Sequence, residues 1–343
     1  MARVASLDIA KAFAVVCVVV GHSASLGIPQ GVVDFCFTFH MPLFFIASGY
    51  FARPDAVLDA AFVKKNARAL LLPYAATTLV VVLLVLLKAL AFGHADVLGE
   101  TASWLVAALY GAGAGTAALP EGVRAIGAVW FLLAMFWGKL LLAAAHRTPC
   151  PAAVVLGMFV LGYVSKTVWL PFSVQAGLCA VLFLYIGQLL RAGDWLARGA
   201  VHPLVWAAIA GMWLYCIVCG GRLFMVENVY GDGVVVDVLG GVCGTLCVFK
   251  AAQLVERHAA PLAGSLARLG TVTLPLFCAH LVELDAMPWG HVEALLGTLP
   301  VPPWLSGLAV RFALVALVAA VLYALPRPVS GLFYPRRVSR ASS

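Results

Sequence analysis

Charge is scarce in this sequence: Asp, Glu, Lys and Arg supply only 11% of its 343 residues, against about 25% in a soluble globular domain. A surface so poor in charge cannot face water all round, which excludes a soluble fold. Long polar stretches are lacking too. The segments between the apolar runs are too short to build a separate soluble domain, so a single multi-pass domain is expected over residues 1–335, with a polar cytoplasmic tail at 336–343. Metal-site spacing is also missing. The nine cysteines lie mostly inside apolar runs and behave there as small apolar residues. Cys216 and Cys219 have a C-x-x-C spacing, but no second pair and no suitably spaced histidine pair stands beside them in a polar segment. No metal is expected, and no internal repeat of the inverted-topology kind is evident.

What is abundant is hydrophobicity. Apolar residues make up 64% of the chain and the mean hydropathy is +1.03. An all-α membrane protein of about ten transmembrane helices follows, with spans at 9–28, 35–51, 69–92, 126–145, 152–164, 169–190, 203–219, 234–254, 271–288 and 303–325. The first is expected to be a span rather than a cleaved leader, because Lys11 interrupts it and its apolar character continues to Ile28. The stretch 104–119 is apolar as well. Gly111, Gly113 and Gly115 weaken a helix there, so it is expected to lie at the interface or re-enter.

Lysine and arginine fix the orientation, since short cytoplasmic loops retain positive charge. With the N-terminus inside, one side collects Arg3, Arg53, Lys64, Lys65, Arg68, Lys139, Arg147, Arg191, Arg198, Lys250 and the C-terminal arginines. The other keeps Arg124, Lys166 and Arg222 beside Asp34, Asp96, Glu100, Asp232 and Glu293. An even number of spans and two cytoplasmic termini are expected in a cell membrane. The net charge of +7 then reports topology rather than nucleic-acid binding.

Ionisable residues inside the spans are costly and mark sites or pathways. In the first span Asp8, Lys11 and His22 share a face, because eleven residues at 100° bring His22 within about 20° of Lys11 and about 16 Å further along the axis. The second span runs the opposite way and places His40 at a depth close to that of His22. Two imidazoles at one depth suit a general base and its partner acting on an alcohol; a lone membrane histidine is as readily packing, bonded to a helix carbonyl. The basic segment Lys64, Lys65 and Arg68 is either a topology anchor or a cradle for the phosphates of a nucleotide-bearing donor. Further along, His280 lies mid-span with Glu283 and Asp285 just beyond it. Arg311 lies mid-span in the last helix and needs one of these acids, or Asp237, as a partner. Trp130, Trp169 and Trp206 are candidates for stacking on a sugar, or for interfacial anchoring.

Taken in order, the Lys-x10-His first span, FHMPLFFIASGYF, FVKKNARALLLPY, VWFLLAMF, LPF at 170–172, ENVYGDG at 227–233 and LARLGTVTLPLFCAHLVE resemble the acyltransferase 3 family of membrane proteins. The likeness is greatest to the branch that includes fucose 4-O-acetylases, and it runs through nearly the whole chain. It implies a ten-helix enzyme that takes acetyl-CoA from the cytoplasm and acetylates a hydroxyl of a surface or exported glycan or glycolipid. The family's motif residues fall on Lys11, His22, His40, Ser48 with Gly49, and Lys64, Lys65 and Arg68. Trp130, Gln175, Asn228, Tyr230, His280, Glu283 and Arg311 are assigned to an acceptor site or a structural polar network. Two departures stand out: Ala12 where a glycine commonly follows the lysine, and Gln175 where relatives often carry an acid. The second bears on the acceptor. His22 is expected to be the general base, His40 to orient it or relay its proton, and Ser48 either to donate to an oxyanion or to permit close packing. The expected partners are the lipid bilayer, the acyl donor and the acceptor, with no nucleic acid; self-association is left open. The rival reading is a proton-coupled transporter or exporter of a small polar solute, with His22, His40, His280 and Arg311 as its relay.

Overall fold

The computed structural model describes residues 4–195, 202–219, 222–231 and 233–334. The expected tail at 336–343, and Arg3, Arg198 and Asp232 of the charge pattern, lie outside them. The described residues form fourteen α-helices and one short hairpin. In chain order these are α1 (Ala5–Gly21), α2 (Gln30–Tyr50), α3 (Ala60–Ala91), α4 (Val97–Tyr110), α5 (Trp130–Ala145), α6 (Pro151–Val164), α7 (Val174–Ala192), α8 (Pro203–Val218), β1 (Leu223–Phe224), β2 (Val229–Tyr230), α9 (Val234–His258), α10 (Ala260–Gly270), α11 (Thr273–Ala286), α12 (Trp289–Leu296), α13 (Pro303–Ala324) and α14 (Arg327–Phe333). The two strands pair antiparallel, Leu223 opposite Tyr230.

Five helices are long and apolar enough to cross a membrane: α2, α3, α7 with the turn before it, α9 and α13. The pair α10 and α11, bent by 65° at its break, makes a sixth if it counts as one span. The helices α4, α5, α6 and α8 are apolar but shorter. Leu79, Leu83, Leu87 and Leu90 line the outside of α3, as expected where the surroundings are hydrocarbon rather than water.

Several boundaries differ from the sequence expectation for local reasons. The first helix stops at Gly21, and the chain turns through Ala24–Leu26 to Gly27 at φ 79°, so the apolar run to Ile28 is not one helix. The stretch expected at 104–119 is helical from Val97 to Tyr110 and ends at Gly111, whose φ of 74° closes the helix in the left-handed region. Its start is set by Asp96, whose carboxylate accepts the Gly99 amide at 2.9 Å. Asp59 caps α3 in the same way through the Phe62 amide at 2.7 Å.

At the centre α2 packs on α1, α7 and α9, while α5 packs on α7 and α3. The α2–α7 contact is close because both sides present glycine. A Cβ on Gly49 would stand 1.9 Å from the Leu184 carbonyl oxygen, and one on Gly187 would stand 2.1 Å from that of Ile46. Small residues that let backbones approach are the usual means of holding helices together where no water drives them. At the other side of α1, a Cβ on Gly270 would meet the Asp8 carbonyl at 1.8 Å, so the bend between α10 and α11 sits against the start of α1.

Candidate active site

Lys11 and Asp8 form an ion pair at 2.7 Å on one face of α1. Eleven residues on, His22 follows the last helical residue, and its Nδ1 donates to the Val18 carbonyl at 2.8 Å. In α2 the Nδ1 of His40 donates likewise to the Cys36 carbonyl. A carbonyl oxygen can only accept, so both rings carry their hydrogen on Nδ1, and in the neutral form each leaves Nε2 as a free lone pair. Both histidines are thereby presented as bases.

His280 of α11 joins them: its ring centroid stands 5.5 Å from that of His22. Phe37 lies edge-on to both remaining rings, 6.1 Å from His22 and 5.1 Å from His40. His280 is fully buried and its Nδ1 lies 3.1 Å from Oε2 of Glu283. Its Nε2 has no partner among the described residues.

The other carboxylate oxygen of Glu283 stands 3.2 Å from Nε of Arg311. Arg311 in turn donates to the His22 carbonyl at 2.9 Å and to Ser23 Oγ at 3.0 Å, and lies 4.2 Å over the Trp289 ring. This resolves the choice of acid for Arg311: it is Glu283. Asp285 instead offers its backbone carbonyl to Lys88. The arginine also places its charge on the carbonyl end of α1, where a helix favours a cation. A guanidinium and a carboxylate this deep are tolerable because each has several partners.

Toward the end of the bundle that carries Lys64, Lys65 and Arg68 lies a cavity of about 890 Å³. Its mouth is at the exposed loop 53–57, and its charged lining is the four cations Arg53, Lys65, Lys139 and Lys11 with one carboxylate, Asp55. Lys65 and Lys139 lie near enough to repel one another, and Lys139 has no acidic partner among the described residues. The lining stops at Val18 on α1, Met41 on α2, Phe131 on α5 and Phe277 on α11. Val18 lies four residues before His22, Met41 is next to His40, and Phe277 lies three residues before His280. The cavity thus reaches from a cluster of cations to the floor of a three-histidine cluster.

The expected site residues divide accordingly. Lys11, Lys65 and Ser48 line the cavity, whereas Lys64 and Arg68 are exposed and do not. Ser48 lies eight residues beyond His40, about 12 Å along the axis, so it is apart from the histidines. Trp130 is buried and packs against Gly113. Gln175 braces a turn, donating to the Val168 carbonyl at 2.6 Å and accepting from the Leu170 amide at 3.1 Å. Asn228 donates to the Gly162 carbonyl at 2.8 Å, and the Tyr230 ring lies tilted to Phe159 and edge-on to Tyr163. Gln175 and Asn228 thus tie loops together at the end of the bundle away from the cavity mouth. Sequence reasoning missed Arg53 and Lys139 as cavity cations. Lys139 carried a signal, a lysine ten residues into an apolar helix, that orientation counting alone absorbed. All nine cysteines are free, and the described residues hold no group of three or more metal-ligating side chains.

Neither the curated proteins nor the solved structures contain a match to this chain. The sequence profile of an acyltransferase domain does match, over residues 4–324. That match covers the cavity and all three histidines, and it fits a membrane acyltransferase in general: this chain belongs to the acyltransferase 3 family.

Proposed function

We propose that the protein transfers an acetyl group from cytoplasmic acetyl-CoA to a hydroxyl of a surface or exported glycan, in the manner of the fucose 4-O-acetylase-like branch. The observation that carries this reading is the cavity, which runs from Arg53 and Lys65 to the residues beneath His22, His40 and His280. In this reading the phosphates of CoA rest among Arg53, Lys65 and Lys139, whose charges suit phosphate, and the pantetheine arm passes Ser48 and Lys11. The basic end is then cytoplasmic. Ten spans result when α1, α5, α6, α8 and the bent α10–α11 pair are counted with the five longer helices, and both termini face the cytoplasm.

An alcohol is too weak an acid to attack a thioester unaided at neutral pH. His22 Nε2 takes the hydroxyl proton as the oxygen attacks the thioester carbonyl. The carbon–sulfur bond breaks, and the CoA thiolate leaves with the charge and recovers a proton. His40 and the carboxylate-backed His280 flank the base, whose ring is held by the Val18 carbonyl, and the proton it takes passes to the departing thiolate. Arg311 fixes the backbone of His22 itself. The same groups would equally serve an acyl-histidine intermediate.

The test is the glycan composition of cells with and without the gene. A hexose that gains the mass of one acetyl unit only when the gene is present supports the reading. Export of a solute with no acetylated product would replace it with the proton-coupled transporter.

A further inference from the structure

The cavity does not open onto the histidines. On all four helices its lining ends in apolar side chains, and an acyl group delivered along it meets those before it meets an imidazole. Phe131 is the hub of this wall. Its ring centroid stands 5.8 Å from Phe44 and 5.7 Å from Phe277, both of which also line the cavity, and 5.0 Å from Phe45, which is fully buried behind it. Val18 closes the α1 side, and its carbonyl is the acceptor that holds His22. The wall and the base are therefore one assembly, linked through one residue of α1.

We propose that Phe131, with Phe44 and Phe277, measures the acyl group of the donor and restricts the enzyme to the shortest acyl chains. This rests on the acyl-CoA reading of the cavity. The thioester carbonyl must come to rest at the wall to be within reach of His22, and whatever follows it in the acyl chain must fit against rings already in tilted and edge contact. Close-packed aromatic side chains leave no slack for added methylenes, and inserting them forces the neighbours off their preferred rotamers. Phe131 is a specificity residue in this account and takes no part in the proton transfer. Simple packing by Phe131 makes a different forecast. Its loss would then lower stability and weaken all donors alike.

The experiment titrates acetyl-CoA, butanoyl-CoA and hexanoyl-CoA into the purified full chain in lipid nanodiscs, and reads the ratio of hexanoyl-CoA to acetyl-CoA affinity. Discrimination by a fitted apolar pocket is on the order of tenfold or more, so the wild type should bind hexanoyl-CoA at least about tenfold more weakly. Phe131→Ala should raise the ratio by about tenfold, and Phe131→Leu and Phe277→Leu should raise it by less. The leucine variants keep an apolar side chain and decide the matter if the alanine variant does not fold. A wild type that binds acetyl-CoA and hexanoyl-CoA equally, or variants whose ratio stays within about twofold of the wild type, would overturn the proposal while leaving the donor reading in place. A wild type that binds none of the three thioesters would overturn the donor reading, and this proposal with it.

Discussion

The two ends of the site are built on opposite principles. Around the histidines every strong charge has a partner: Arg311 and Glu283 are 1% and 0% exposed and hold one another, and His22 and His40 each spend Nδ1 on a carbonyl of their own helix. Around the cavity the cations are only partly matched. Lys11 has Asp8, but Lys65 and Lys139 lie near enough to repel one another. A buried network of paired charges fixes the geometry of a base before any substrate arrives. An open cavity with surplus positive charge is stabilised by the arrival of an anion. On the proposed reading one end is organised for chemistry and the other for capture, and substitutions should separate the two.

The largest effect belongs to the histidine end. His22→Ala should cut acetyl transfer by about a hundredfold or more while acetyl-CoA affinity, measured by titration, stays close to wild type. Comparable turnover at matched expression would remove His22 as the base. Next comes its support. Arg311→Ala strands Glu283 and should destabilise the fold by about 3–5 kcal/mol, read as a lowered unfolding temperature in detergent. An unshifted transition would mean that the pair carries no structural weight.

At the capture end, Lys139→Gln should weaken acetyl-CoA binding by roughly tenfold, as expected for losing a charge-assisted contact of about 1.5–3 kcal/mol. It should leave the rate at saturating donor much nearer to wild type. Equal damage to both quantities would blur the division proposed here. The smallest effect should come from Lys64→Gln with Arg68→Gln. These side chains are exposed and off the cavity, so affinity should fall by less than about threefold, with most of that loss removed by salt. A loss as large as that of Lys139→Gln would put them back among the donor contacts.

Much of this was legible in the sequence because membrane chains write their constraints in composition. The apolar runs, the Lys11–His22 spacing and the basic segment 64–68 are local or periodic, so counting finds them. His280 was visible as a buried polar residue, but its place beside His22 was not, since α11 and α1 are more than two hundred residues apart in the chain and only packing brings them together. The same holds for Lys139. Its helix identifies it as deep, yet nothing short of the bundle reveals that it shares a cavity with Lys65. Gln175 and Asn228, expected in an acceptor site or a structural polar network, bond backbone groups of loops, because a buried backbone carbonyl or amide needs a partner as much as a substrate does.

The most direct test of the account is a structure of the full chain in nanodiscs with acetyl-CoA bound. The account predicts the phosphates beside Arg53, Lys65 and Lys139, with the thioester at the wall formed by Val18, Phe131 and Phe277, next to His22. Phosphates at the opposite end of the bundle, or a thioester far from all three histidines, would contradict it.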